Sequence, residues 1–126
     1  SSVSDLGMVT GCTFSDLNND GWQDLIISIE WGPITYLENT GGKFVDKTKE
    51  ANLSKLTGWW NGVTSADIDN DGDFDLIAHN FGKNTKYKAS DQHPVLLYYG
   101  KFGTDEMRMV EAKFEDDQLF PVRGKS

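Results

Sequence analysis

The chain repeats itself. With Asp16 laid on Asp67, an offset of 51 positions, "GCTFSDLNNDGWQDLIIS" falls over "GVTSADIDNDGDFDLIAH" without a gap. Gly11 meets Gly62 and Thr13 meets Thr64. Asn19-Asp20-Gly21 meets Asn70-Asp71-Gly72, and Asp24-Leu25-Ile26 meets Asp75-Leu76-Ile77. A repeat of this length restricts the fold to one supersecondary unit that is copied and stacked on its neighbour.

The unit reads as short strands. "CTFSD" and "VTSAD" run into an acidic loop, and the apolar "DLIISI" and "DLIAHN" leave it. "ITYLEN" gives a third strand and "KFVDKT" a fourth, after the turn Gly41-Gly42. In the second unit "VLLYYG" takes the third-strand role after an insertion over 83–93. The linker "KEANLSKLTGWW" has room for one helical turn at Ala51 to Leu56. Four short strands in about 40–50 residues is the rhythm of a β-propeller blade. The expected fold is all-β, two to three four-stranded blades, with repeats at about 8–58 and 59–100 and a degenerate partial repeat at 101–126.

Both acidic loops follow D-x-[DN]-x-D-G-x-x-D. Side-chain oxygens at positions 1, 3, 5 and 9 and a backbone carbonyl at 7 converge if the chain curls, and the glycine at 6 permits the turn. Hard oxygens in a flexible ring suit Ca²⁺, which takes six to eight of them at about 2.3–2.6 Å. Neither loop has the His or Cys that softer metals prefer. Two Ca²⁺ sites are expected. The first comprises Asp16, Asn18, Asp20 and Asp24 with the Trp22 carbonyl. The second comprises Asp67, Asp69, Asp71 and Asp75 with the Asp73 carbonyl, the Asp73 carboxylate facing outward. Four carboxylates against three make the second loop the tighter. An EF-hand shares the opening of this motif but needs a Glu at position 12 and flanking helices. Ile27 and Ala78 stand there. The alternative is a turn between strands with no ion, against which stands the repulsion of five alternating carboxylates. In the third unit Lys101, Gly103 and Glu106 replace the first acid, the third and the glycine, with Asp105 at the fifth position. No metal is expected there.

These loops, with "YLENTGGKFVDKT" and "WWNGVTSADIDNDGDFDL", resemble the FG-GAP/VCBS repeat, the calcium-binding blade of integrin-α-like β-propellers. The resemblance implies that each loop joins the first two strands of a blade, and that its ion is structural rather than catalytic. It also implies a ring of about seven blades, of which this chain would be a fragment, and a secreted, periplasmic or cell-envelope setting in a bacterium.

Composition narrows the partners. The formal charge is −8, with eight of the 20 acidic residues inside the two ten-residue loop windows. Such a balance argues against nucleic acid, whose phosphates need Lys and Arg. No apolar run reaches the roughly 18 residues of a membrane span. The first residue is Ser, so the chain reads as a mature or excised piece. The single cysteine, Cys12, excludes an intrachain disulfide and is expected to be buried. Trp59 and Trp60 are expected in packing between blades, with a sugar platform as the alternative, and Trp22 is expected at the surface. "KNTKYKAS", with Lys83, Lys86 and Lys88, is a basic loop suited to an anion or partner. No phosphate loop or Ser/His/Asp arrangement is present. The expected function is a non-catalytic, calcium-binding scaffold or recognition module for a protein or carbohydrate ligand, with self-association through exposed blade edges possible. The alternative is an accessory part of a larger carbohydrate-active enzyme.

Overall fold

The computed structural model describes residues 5–82, 85–103 and 105–122. They form two compact units, Ser1–Phe81 and Gly82–Ser126, each built from antiparallel strands. The expected all-β class is what the chain adopts.

The first unit holds β1 (Met8–Ser15), β2 (Asp24–Pro33), β3 (Thr35–Asn39), β4 (Phe44–Asp46), β5 (Thr57–Ala66) and β6 (Asp75–Asn80). β1 to β4 form a meander of four successive strands, and β5 pairs both the far end of β2 and β6. The sequence repeat is reproduced in the pairing, residue for residue. Gly11 faces Ser28, Thr13 faces Ile26 and Ser15 faces Asp24. At the same offset Gly62 faces His79, Thr64 faces Ile77 and Ala66 faces Asp75. Even the bulge recurs, between Val9 and Gly11 and again between Trp60 and Gly62.

The two copies pack against each other through opposite faces. Ile26, Ile34 and Tyr36 form a buried cluster on one face of the meander. Against it lie Trp60, Val63, Leu76 and Ala78 of the β5–β6 hairpin. β2 is buried on both faces, since Ile27, Ile29 and Leu37 form a second cluster on its other side. The first strands of the two copies come very close. A Cβ added at Gly11 would lie 3.2 Å from the Gly62 Cα, so glycine is needed at the crossing. Thr10 fastens that contact, donating to the Trp60 carbonyl at 2.8 Å.

Two tryptophans serve packing. Trp60 joins the first cluster and donates its indole N–H to the Leu56 carbonyl at 3.0 Å. Trp59 stacks on Trp31 at 5.7 Å and meets Phe81 edge-on at 5.2 Å. Trp31 sits at φ 64°, a conformation that costs a bulky residue on the order of 1–2 kcal/mol. The stack offsets that cost by an amount of similar size, about 0.5–1.5 kcal/mol. Cys12 is exposed rather than buried. It pairs with Ile27 on β1, and among the described residues no strand covers the other edge of β1. The linker forms hydrogen-bonded turns, with Ala51 N donating to the Lys47 carbonyl and Leu53 N to that of Thr48, and no helix is assigned there.

The second unit is the meander β7 (Leu96–Lys101), β8 (Met107–Glu115) and β9 (Gln118–Pro121). Asp116 and Asp117, at φ 48° and 61°, make the two-residue turn between β8 and β9. Tyr87 is buried, and its hydroxyl donates to Glu111.

Candidate metal loops

The acidic loops join β1 to β2 and β5 to β6, and they share one backbone. Asn19 and Asn70 lie at φ 58° and 61°, Gly21 and Gly72 at 87° and 97°. Left-handed φ values suit Asn and Gly best. The first aspartate folds each loop onto itself. Asp16 accepts from Asp20 N at 3.1 Å and Gly21 N at 2.8 Å. Asp67 accepts from Asp71 N at 3.2 Å and Gly72 N at 3.0 Å. The fifth position accepts from the seventh, Trp22 N to Asp20 at 2.8 Å and Asp73 N to Asp71 at 2.9 Å. The ninth ties back to the second, Leu17 N to Asp24 at 3.2 Å and Ile68 N to Asp75 at 3.1 Å.

The carboxylates then part company. Asp67, Asp69 and Asp71 are exposed, and each places an oxygen within 4.8 Å of the others. Two oxygens on one Ca²⁺ are separated by at most twice the bond length, about 5 Å. This trio therefore fits a single hard cation. Asp75 is exposed but outside that trio. Asp73 does not simply face water, as the sequence suggests, because its carboxylate accepts from the side-chain amide of Asn19 in the first loop.

In the first loop Asp16 is half-buried, and Asn18 and Asp20 are exposed. Asn18 turns its amide toward Asp20, donating at 3.0 Å and accepting from Asp20 N at 3.1 Å. Asp24 has no exposed surface at all. It accepts from Asn39 N at 2.8 Å and from the Tyr36 hydroxyl at 3.0 Å, besides Leu17 N. Tyr36 and Asn39 lie outside the loop motif, and nothing in the motif's spacing points to them. Trp22 is 52% exposed, as expected.

The other sequence candidates are placed as follows. Lys101 ends β7, Gly103 sits at φ 70°, Asp105 is exposed, and Glu106 accepts from Arg108 at 3.3 Å. Of the basic segment, Lys83 lies outside the described residues. Lys86 stands 5.1 Å over the ring of Tyr87, and Lys88 is exposed. His93 Nε2 meets Asp117 at 2.8 Å.

Burial pushes the Tyr36 phenol well above its ordinary value, and its hydrogen bond to the Asp24 carboxylate adds to the effect. A group whose folded value is raised stabilises fully below its unfolded value, here about 10, and that stability is lost as pH rises further. The stability difference between wild type and Tyr36→Phe should therefore shrink between about pH 9 and pH 11.5. Urea unfolding in chelator at both pH values checks this. A difference that stays constant would show that the phenol proton has no part in holding Asp24.

A family model described as an FG-GAP-like repeat matches residues 16–78, which spans both loops. No curated protein and no solved structure gives a match.

Proposed function

This chain belongs to the FG-GAP-like repeat family, and from that premise we propose that it is a calcium-binding, non-catalytic module of a β-propeller. The observation that carries the reading is the convergence of Asp67, Asp69 and Asp71. The ion supplies charge neutralisation for the acidic loop and stiffens the connection between β5 and β6. Asp67, Asp69 and Asp71 would hold it, with Asp75 and the Asp73 carbonyl nearest in the chain. The packing of one copy's face onto the opposite face of the next supports the propeller reading. Such head-to-tail stacking is open-ended and continues with further copies. In this reading the chain is part of a secreted or cell-envelope protein, and it serves as scaffold or in recognition of a protein or carbohydrate.

The test is thermal or urea unfolding with chelator and with millimolar CaCl₂. A ligand bound to the native state alone adds about 2.7 kcal/mol at one hundred times its dissociation constant. A stabilisation on that order is expected for the wild type, and none for Asp71→Ala. Coincident transitions for the wild type in the two buffers would defeat the calcium reading.

A further inference from the structure

Trp31 stands where the backbone favours glycine. It is the extra residue of a bulge in β2, between Glu30, which faces Trp59, and Gly32, which faces Gly58. Its φ of 64° is left-handed, and at the same place in the second copy, 51 residues on, the chain has Gly82 at φ 49°. Bulges with a left-handed residue ordinarily carry glycine there, and bulges re-aim a side chain where the ladder opens. Glycine would hold this backbone without strain, so the tryptophan is kept for its side chain. The stack on Trp59 uses the ring but not the indole N–H. Trp31 is only half-buried, and among the described residues its N–H has no hydrogen-bond partner.

The neighbours of Trp31 complete a small platform at the end of β2 away from the acidic loop. Trp59 lies stacked on it at 5.7 Å, and Phe81, which is exposed, meets Trp59 edge-on at 5.2 Å. Glu30 pairs across the sheet with Trp59 on one side and with exposed Met8 on the other, so its side chain shares a face with both. Glu30 is half-buried, and among the described residues its carboxylate has neither an ion pair nor a hydrogen bond.

We propose that this platform binds a β-linked oligosaccharide, one pyranose ring lying on the aromatic surface with its hydroxyls donating to Glu30 and accepting from the Trp31 N–H. The axial C–H groups of an all-equatorial pyranose make a flat apolar face that fits an indole. Its rim of hydroxyls carries both donors and acceptors. The carboxylate decides against the other flat ligand that aromatic surfaces take, a proline-rich segment. Such a segment presents carbonyl acceptors and no proline N–H, and a carboxylate repels them. A sugar hydroxyl instead gives the carboxylate a charge-assisted hydrogen bond. Carbohydrate recognition here rests on the recognition module described above but not on its ion.

Titration of the whole chain with cellohexaose in CaCl₂, followed by tryptophan fluorescence, should show saturable binding. Trp31→Gly keeps a backbone that the second copy already adopts with glycine, and it should weaken binding about tenfold or more. Glu30→Gln keeps the shape of the side chain and should weaken binding about 3–10-fold, because a carboxylate accepts hydrogen bonds more strongly than an amide. No saturation with cellohexaose would overturn the platform. So would wild-type affinity in Trp31→Gly, or saturable binding of a proline-rich peptide in place of the sugar. Should Trp31→Gly fail to fold, wild-type affinity in Glu30→Gln overturns it alone. Each of these outcomes leaves the calcium shift of the unfolding transition untouched, so the two readings fail separately.

Discussion

In calcium-free buffer Asp24→Ala should lose about 3–5 kcal/mol of stability, and Asp75→Ala less than about 1. The two residues occupy the same place in the repeat. Asp24 is buried at 0% exposure and receives three donors, Leu17 N, Asn39 N and the Tyr36 hydroxyl. Its truncation strands all three, the Tyr36 hydroxyl in a buried place and the two backbone donors in part-buried ones, and each stranded group costs about 1–3 kcal/mol. Asp75 is exposed and accepts from Ile68 N alone, at 3.1 Å. Water replaces what Asp75→Ala removes. Urea unfolding in chelator measures both. Because a small domain has only about 5–15 kcal/mol to lose, the milder Tyr36→Phe gives a folded reference should Asp24→Ala fail to fold. Equal losses for the two aspartates would mean that the Asp24 network contributes nothing beyond the turn common to both loops.

The same contrast shows how far the sequence could be read. The repeat at an offset of 51 residues marks the strands on either side of each loop and the glycine turn within it, because those depend on local pattern; the register and the left-handed asparagines repeat with it in the structure. The family match over residues 16–78 covers this ground. The different fates of Asp24 and Asp75 were not legible. They depend on Tyr36 and Asn39, which reach Asp24 because β3 pairs with β2 in a register that sets Leu25 against Leu37. The Asn19–Asp73 bridge was hidden for the same reason, since it joins residues 54 apart. Within the degenerate partial repeat expected at 101–126, the alternation of "MRMVEAKFE" is the local signal for β8. The exposure of Cys12 is not legible either, because a strand's composition does not say which of its edges is paired.

Ile26→Ala should cost about 3–4 kcal/mol, and Ile77→Ala less than about 1. These residues also share one place in the repeat, and each faces a threonine on the preceding strand, Thr13 and Thr64. Ile26 is completely buried, and Ile77 is 43% exposed. The difference lies in the stacking of copies. Ile26 points to the face on which the β5–β6 hairpin packs, among Leu76, Ala78, Trp60 and Val63. Ile77 lies on the corresponding face of the second copy and keeps 43% of its surface exposed. Removing three carbons from Ile26 leaves a cavity bounded by strands on both sides of β2, so the walls relax little and the cost falls in the upper half of the usual range of about 2–5 kcal/mol. At Ile77 part of the removed surface is already in water and no closed cavity forms, so the loss is smaller. Denaturant midpoints at fixed slope would measure both. Comparable losses would mean that the second copy's face is covered in solution. The cost of Ile77→Ala would then vary with protein concentration if the cover is another molecule of the chain, and would be constant if it is the chain itself.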